Sequence, residues 1–572
     1  MRLSYLLLFL STLALAQNPY PRDYFRSPMD IPVHPSGTFG ELRGNHFHSG
    51  LDFRTQQKEG LPVYAVADGY VSRIKVGSYG YGTVVYIDHP NGYTSVYAHL
   101  QKFTSKIDEY VRARQYEKQS FDIELMPKPG ELNVSKSELI ALSGNSGGSG
   151  GPHLHFEYRD TKTEVVINPL LFGLDKKMKD VAAPKILAVM AYPISADAVI
   201  NGSKKPVLVN LKLQKDGTYL ADKLDAKGKI GFGVSTSDKA TGSIGNNGIY
   251  KVETFFNGSP GFKYEFNSFA FNESRYINNF IDYARFYLTG QRFQKLFVRT
   301  PYSLSLIKNN TSNGQYDVVK DTTQNYRIVV ADFHGNKAVV NGSIGYSDAP
   351  ATVMDAKHIT PYFVKAGNDH NYTKNNVSVF IPANAFYEDF YMDFDVKDSV
   401  LHLHNPTVPV HTSVTVSFDV SHLSKDVLQK TFIAGFNDKK VTYNSSYMED
   451  GKLTAKLRGL GNFKLAQDYI APKIYDASFT EGKVLDDRKT IGMHISDNLS
   501  GIATFDAWIN GKWALMHYDY KTKTIFHNFS DGIVGDGRND LKVTVTDNVG
   551  NSTTFETHFF RTQNIAPVEK DN

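Results

Sequence analysis

His153-Leu154-His155-Phe156-Glu157 follows a run of glycine and serine from Ser143 to Gly151. On a strand, residues i and i+2 share a face, so both imidazoles can reach one point in space. So many glycines before a strand let the backbone pass close to another strand or to a bound molecule. Two upstream segments belong with this one: His48-Ser49-Gly50-Leu51-Asp52 and Tyr97-Ala98-His99-Leu100. Together they supply four histidines and one carboxylate, all within strand-like sequence. An H-x-x-x-D pair plus one histidine of the H-x-H strand makes three ligands. Three ligands leave a divalent zinc one open position for water, as a catalytic rather than a structural site requires. His46 competes with His48, but four residues after His46 stands Gly50, so the carboxylate spacing selects His48 with Asp52.

Outward from these segments, residues 37–171 read as short strands separated by glycine turns. Tyr70-Val71-Ser72-Arg73-Ile74 alternates. Thr83 to His89 is strand-like, and Asn91-Gly92 is a tight-turn signal into Tyr93–His99. Ser105 to Phe121 is charged and compatible with a partly helical stretch, and no long helix pattern appears in this domain.

Beyond Leu174 the texture changes. Residues 181–346 open with Ala183-Pro184-Lys185-Ile186 and close with Asp332-Phe333-His334-Gly335-Asn336. Residues 470–561 open with Ala471-Pro472-Lys473-Ile474 and close with Asp547-Asn548-Val549-Gly550-Asn551. This shared punctuation predicts two β-sandwiches of one type. The aromatic stretch 262–297 reads as sandwich core plus a long loop, with stacking on glycan as the other reading. Residues 350–467 form a third β-rich unit. The short linkers predict a semi-rigid row of domains. No metal cluster, nucleophile elbow or phosphate loop is legible in 175–572.

The bulk numbers agree. At 572 residues the chain is too long for one core. Aromatics at 13%, mostly Tyr and Phe, lean toward strands. A net charge of +4 without a basic stripe gives no argument for nucleic acid. There is no cysteine, so any zinc must use histidine and carboxylate. Met1-Arg2, an apolar run from Leu3 to about Leu13, and Ala14-Leu15-Ala16 before Gln17 read as a secretory signal peptide, too short to span a bilayer. No later stretch is apolar enough to be a transmembrane segment. The expectation is an exported protein of the periplasm or cell envelope.

His48-x-x-x-Asp52, Tyr97-x-His99-Leu100 and Gly151-Pro152-His153-Leu154-His155-Phe156-Glu157 resemble the lysostaphin-type (LytM-like) zinc metallopeptidases, the murein endopeptidases. Gly60–Ala65, Asp68–Val71 and Asn168-Pro169 extend the resemblance over about residues 36–172. It implies zinc held by His48, Asp52 and His155, with His99 and His153 as catalytic partners of the metal-activated water. It does not say which of those two takes the proton. About fifty residues separate His99 from His153, where the family has a short connection bordering the substrate groove, so an insertion near 105–130 is expected. Ser378–Phe386 loosely resembles the strand opening of a ZU-type β-domain, and the two sandwiches resemble bacterial immunoglobulin-like modules.

The expected fold is mainly β: a small antiparallel β-sheet metallopeptidase domain followed by three β-sandwich-type domains. The expected division is signal peptide 1–16, lead-in 17–35, peptidase domain 36–175, Ig-like sandwich 181–346, β-rich domain 350–467, Ig-like sandwich 470–561 and tail 562–572. By the resemblance, the function is a zinc metallo-endopeptidase cutting peptide cross-links of peptidoglycan, with envelope proteins as further partners of the β-modules. The alternative is a non-catalytic murein-binding scaffold or activator of another wall hydrolase.

Overall fold

The computed structural model describes residues 19–241, 245–300, 302–355 and 358–562. The expected signal peptide, residues 1–16, and the tail beyond Thr562 lie outside the described residues. Among the described residues no helix is long and apolar enough to cross a membrane.

The chain is mainly β. Its first domain is built on an antiparallel sheet with the order Pro35–Gly37, Leu51–Arg54, His153–Asp160, Tyr93–Ala98, Val84–Asp88, Gly69–Val76, Ile123–Leu125. The strand His153–Asp160 is central and has a strict division of faces. Leu154, Phe156 and Tyr158 are fully buried in the apolar core with Leu51, Phe53 and Tyr97. His153, His155, Glu157 and Arg159 alternate with them and therefore share the opposite face. Register does the rest: Asp52 pairs with His155 from one side, and Ala98, just before His99, pairs with it from the other.

The insertion contains a 14-residue helix, Ser105–Lys118, within the stretch where the sequence suggested partial helicity. Its apolar stripe is too thin to read: only Ile107, Val111 and Gln115 are buried.

Residues 185–346 form two sheets around a core of their own, and that core continues into the first domain. Val166–Ile167 pairs with Ser268–Phe269. Phe39 and Phe47 pack among Phe266, Phe269 and Phe280. Phe262, Tyr264, Phe266, Phe269 and Phe280 are all at most 2% exposed. These five aromatics therefore join two domains and are closed to stacking on glycan, while Phe271 and Tyr287 of the same stretch are exposed. Two five-stranded sheets follow within 370–467, and two four-stranded sheets within 473–561.

The domains do not form a simple row. The last unit returns to the first domain and receives the insertion helix. Tyr116 Oη donates to Asp531 Oδ2 at 2.8 Å, Arg112 reaches Asp531 at 3.3 Å, and Tyr79 packs on Tyr520 with ring centroids 4.9 Å apart. The Asp531 side chain is 3% exposed, so its charge requires these partners.

Candidate metal centre

His48 Nε2 lies 3.0 Å from Asp52 Oδ1 and 3.0 Å from His155 Nδ1, and His155 Nδ1 lies 2.9 Å from Asp52 Oδ1. All three residues are at most 6% exposed. A tetrahedral zinc with ordinary Zn–N and Zn–O bonds would hold its donors about 3.3 Å apart, so this triangle is close to the required size. The outer nitrogens fix the tautomers. His48 Nδ1–H donates to the Thr38 carbonyl at 2.8 Å, and His155 Nε2–H donates to Glu157 Oε1 at 2.8 Å. Each inner nitrogen is thereby the one that would turn a lone pair to a metal, giving up the proton it otherwise shares with Asp52. The donor set therefore fits zinc and could hold it.

Position follows from neighbours in sequence. Phe47 anchors the His48 segment: its ring is buried in the sandwich core and its N–H donates to Ser274 Oγ at 3.0 Å. Gly50 passes so close to the central strand that a Cβ there would lie 2.3 Å from the Phe156 carbonyl oxygen.

His99 and His153 stand beside the triangle, their rings 4.8 Å apart. His99 ends its strand in the left-handed region, φ 59°, which turns the ring away from the ladder. Its Nδ1–H donates to the Ser146 carbonyl at 2.8 Å. That carbonyl is delivered by the glycine-rich loop. Gly147, at φ 64°, lies back to back with Gly82, and a Cβ on it would sit 2.3 Å from Gly82 N. His153 Nδ1–H donates to the Gly151 carbonyl at 2.8 Å, and its Nε2 lies 3.6 Å from Asp52 Oδ1.

Electrostatics separate the five residues. Burial lowers His99 to about 3, reinforced by the charges of His155 and His153. Burial also lowers His153. Both rings are therefore neutral near pH 7. Burial disfavours a charged His155 as well, but hydrogen bonds to Asp52 and Glu157 outweigh it and raise the group to about 9. Burial raises Asp52, yet His48 and the hydrogen bonds from both imidazoles hold it well below the usual carboxylate range. The pocket is thus built to attract positive charge.

The structure brings all five sequence-selected residues together, and it leaves His46 outside the triangle, bonded to the Gly44 carbonyl. It also shows residues that sequence reasoning missed. Glu157 is fully buried and paired with Arg159 at 2.6 Å, and it accepts from Ser49 and Tyr81. Arg43 reaches Asp52 Oδ2 at 3.2 Å. Glu157 and Arg159 carried a signal, since they continue the i+2 spacing from His155. Tyr81 and Arg43 carried none.

Comparison with known proteins gives likenesses in two parts of the chain. Residues 361–468 match the Zu5-like domain. A Haemophilus influenzae protein named as an uncharacterized metalloprotease is 38% identical over 127 residues, which are 22% of this chain and 21% of that protein. The peptidoglycan DD-endopeptidase ShyA of Vibrio cholerae serotype O1 is 34% identical over 142 residues, 24% of this chain and 27% of ShyA. The chain thus spans about a fifth to a quarter of the length of these relatives. The catalytic domain of lysostaphin from Staphylococcus simulans is similar at 23% identity and a TM-score of 0.18, over 24% of this chain and 87% of that domain. Residues 46–116, which include His48, Asp52 and His99, match Peptidase family M23, and the first domain of this chain is a Peptidase family M23 domain.

Proposed function

We propose that the chain is an exported zinc metallo-endopeptidase that hydrolyses peptide cross-links of peptidoglycan in the periplasm or cell envelope. The observation that carries this reading is the triangle of donor atoms from His48, Asp52 and His155, with edges of 2.9–3.0 Å, beside the rings of His99 and His153. Relatives named metalloprotease and peptidoglycan DD-endopeptidase support the reaction and the substrate class. The composition of residues 1–16 supports export.

His48, Asp52 and His155 would hold the metal, which when bound supplies Lewis-acid activation of water and of the scissile carbonyl. The protein supplies proton handling. His99 and His153 each donate through Nδ1 to a backbone carbonyl, which leaves Nε2 as a lone-pair acceptor. One of them takes the proton of the attacking water. The other can hydrogen-bond the developing oxyanion only as an imidazolium, with a proton taken up from solvent on Nε2. Glu157 and Arg159 orient His155 from behind. The three β-units serve as spacers and as docking surfaces for envelope partners.

The test is zinc content of the purified mature chain together with digestion of isolated peptidoglycan, comparing wild type with His155→Ala and His99→Ala. Release of muropeptides by wild type and by neither variant supports the reading. A scaffold or activator would bind murein and release nothing, and that result would overturn it.

A further inference from the structure

The D-x-x-G-N closures have a use that the peptidase reading does not absorb. Asp332 accepts from Asn336 N at 2.9 Å and from Asn336 Nδ2 at 2.7 Å. Asp547 accepts in the same way from Asn551, at 2.8 and 2.7 Å. The same amides reach back to the preceding linker: Asn336 Nδ2 donates to the Asp180 carbonyl at 3.3 Å, and Asn551 Nδ2 to the Asp468 carbonyl at 3.0 Å. Each linker aspartate in turn accepts a backbone N–H, from Thr241 or from Ser500, both at 2.9 Å. A third aspartate completes each group. One oxygen from each of Asp180, Asp238 and Asp332 lies within 4.8 Å of the others, and the same holds for Asp468, Asp497 and Asp547. No metal cluster was legible in 175–572 because each group draws on three distant segments.

These hydrogen bonds alone would make only a turn. The further observation is Asn247, 5% exposed, whose side-chain Oδ1 and Nδ2 both lack a hydrogen-bond partner. Asn247 faces Asp238 across an antiparallel bridge (N···O 3.1 and 2.7 Å), so the two side chains share a face. Asp238, 6% exposed, also has an unpartnered Oδ1. Both line a cavity of about 30 Å³ together with Asp180 and Asp332. That volume accommodates one water-sized species. In the second group, Ser500 Oγ, 2% exposed, and Asp497 Oδ1 are likewise unpartnered.

We propose that Asp180, Asp238 and Asp332, with Asn247 Oδ1, form a binding site for a hard divalent cation of the calcium type, and that Asp468, Asp497 and Asp547 repeat it. The donors are all oxygen, which suits calcium and disfavours zinc. Both sites lie at joints. The first cavity is walled by Thr38, Phe39 and Asn168 of the peptidase domain as well as by the sandwich. In the second, Asp468 ends the Zu5-like match while Asp497 and Asp547 belong to the last unit. Each cation would therefore clamp two domains. This inference stands independently of the peptidase reading.

The test uses the full mature chain, stripped on chelating resin, reloaded with one equivalent of zinc, and titrated with CaCl2 by calorimetry and thermal unfolding. The expectation is two equivalents bound and a rise in Tm. Asp238→Asn and Asp497→Asn should each lose one equivalent, and the double variant both. The isosteric amides remove a repelling charge, so without calcium they should melt no lower than wild type. A wild-type stoichiometry of one that Asp238→Asn abolishes supports the first site and overturns the second. No heat and no Tm shift in wild type at millimolar CaCl2, or two equivalents retained by the double variant, overturns the proposal. The wild-type titration decides even if a variant fails to fold.

Discussion

Glu157 accepts the Nε2 proton of His155 at 2.8 Å while the Arg159 guanidinium grips its other oxygen at 2.6 Å. The three residues lie on one face of one strand, each two apart, and all are at most 4% exposed. The Arg159 charge holds the Glu157 carboxyl well below its usual range despite burial. Glu157 is therefore anionic whenever the protein is folded, and it fixes the ring orientation of His155. Glu157→Gln should weaken zinc binding by about 10- to 100-fold, as for other groups that orient a metal ligand from behind. Competition with a chromogenic chelator measures this. Glu157→Ala should also cost about 3–5 kcal/mol in stability, because it strands a buried Arg159. Unchanged zinc affinity in Glu157→Gln would show that His155 needs no such support.

The histidines should separate into two classes. His48→Ala and His155→Ala remove donor atoms, so purified protein should carry no stoichiometric zinc. His99→Ala and His153→Ala leave the triangle intact, so zinc should remain at one equivalent while kcat falls about 10²- to 10⁴-fold. Metal analysis beside a muropeptide-release assay distinguishes the classes. Loss of zinc from His99→Ala would move that residue among the ligands.

The glycine loop makes a sharper demand. Gly147 sits at φ 64° with the Gly82 backbone in the space a Cβ would fill. Gly147→Ala must displace the loop that carries the Ser146 carbonyl, and with it the His99 ring. Zinc content should be unchanged. Activity should fall at least about 10-fold, since a displacement near 1 Å at a reacting group is costly. Comparison with Gly150→Ala, where a Cβ meets nothing, controls for a general effect on the loop.

What the sequence disclosed depends on range. The hairpin Val84–Asp88 to Tyr93–Ala98 was legible because alternation and Asn91-Gly92 are local signals. His48, Asp52 and the H-x-H pair were legible because their spacings are diagnostic of shared faces. The helix Ser105–Lys118 was legible only in part, since its outward surface is charged and only three positions point inward. Tyr81 and Arg43 were invisible because strand register and loop closure, not spacing, bring them to Glu157 and Asp52. The aromatic stretch was legible as apolar, but which surface it covers is a property of two domains. The D-x-x-G-N closures were read as punctuation, and their partners at Asp180 and Asp468 only appear once the linkers are folded against them.

The docking of the last unit should depend on pH. His517 packs between Phe121 of the insertion and Phe526 of its own sheet, with ring centroids 5.7 and 5.0 Å away. Burial lowers this imidazole to about 4. The charge of Asp531 opposes that shift, while His527 and Arg112 add to it. A free histidine titrates near 6.5. The folded group is thus depressed, so the unfolded or undocked state binds more protons between those values. Its contribution to stability is full above about pH 6.5 and is lost as pH falls toward 4. Limited proteolysis or small-angle scattering of the full chain should show the last unit releasing from the first domain as pH falls through that window. His517→Asn keeps a hydrogen-bonding polar group but cannot titrate, so it should shift release to lower pH. Asp531→Ala removes the partner of Tyr116 and Arg112 and should favour release even at neutral pH. If wild type and His517→Asn open at the same pH, another group controls the joint.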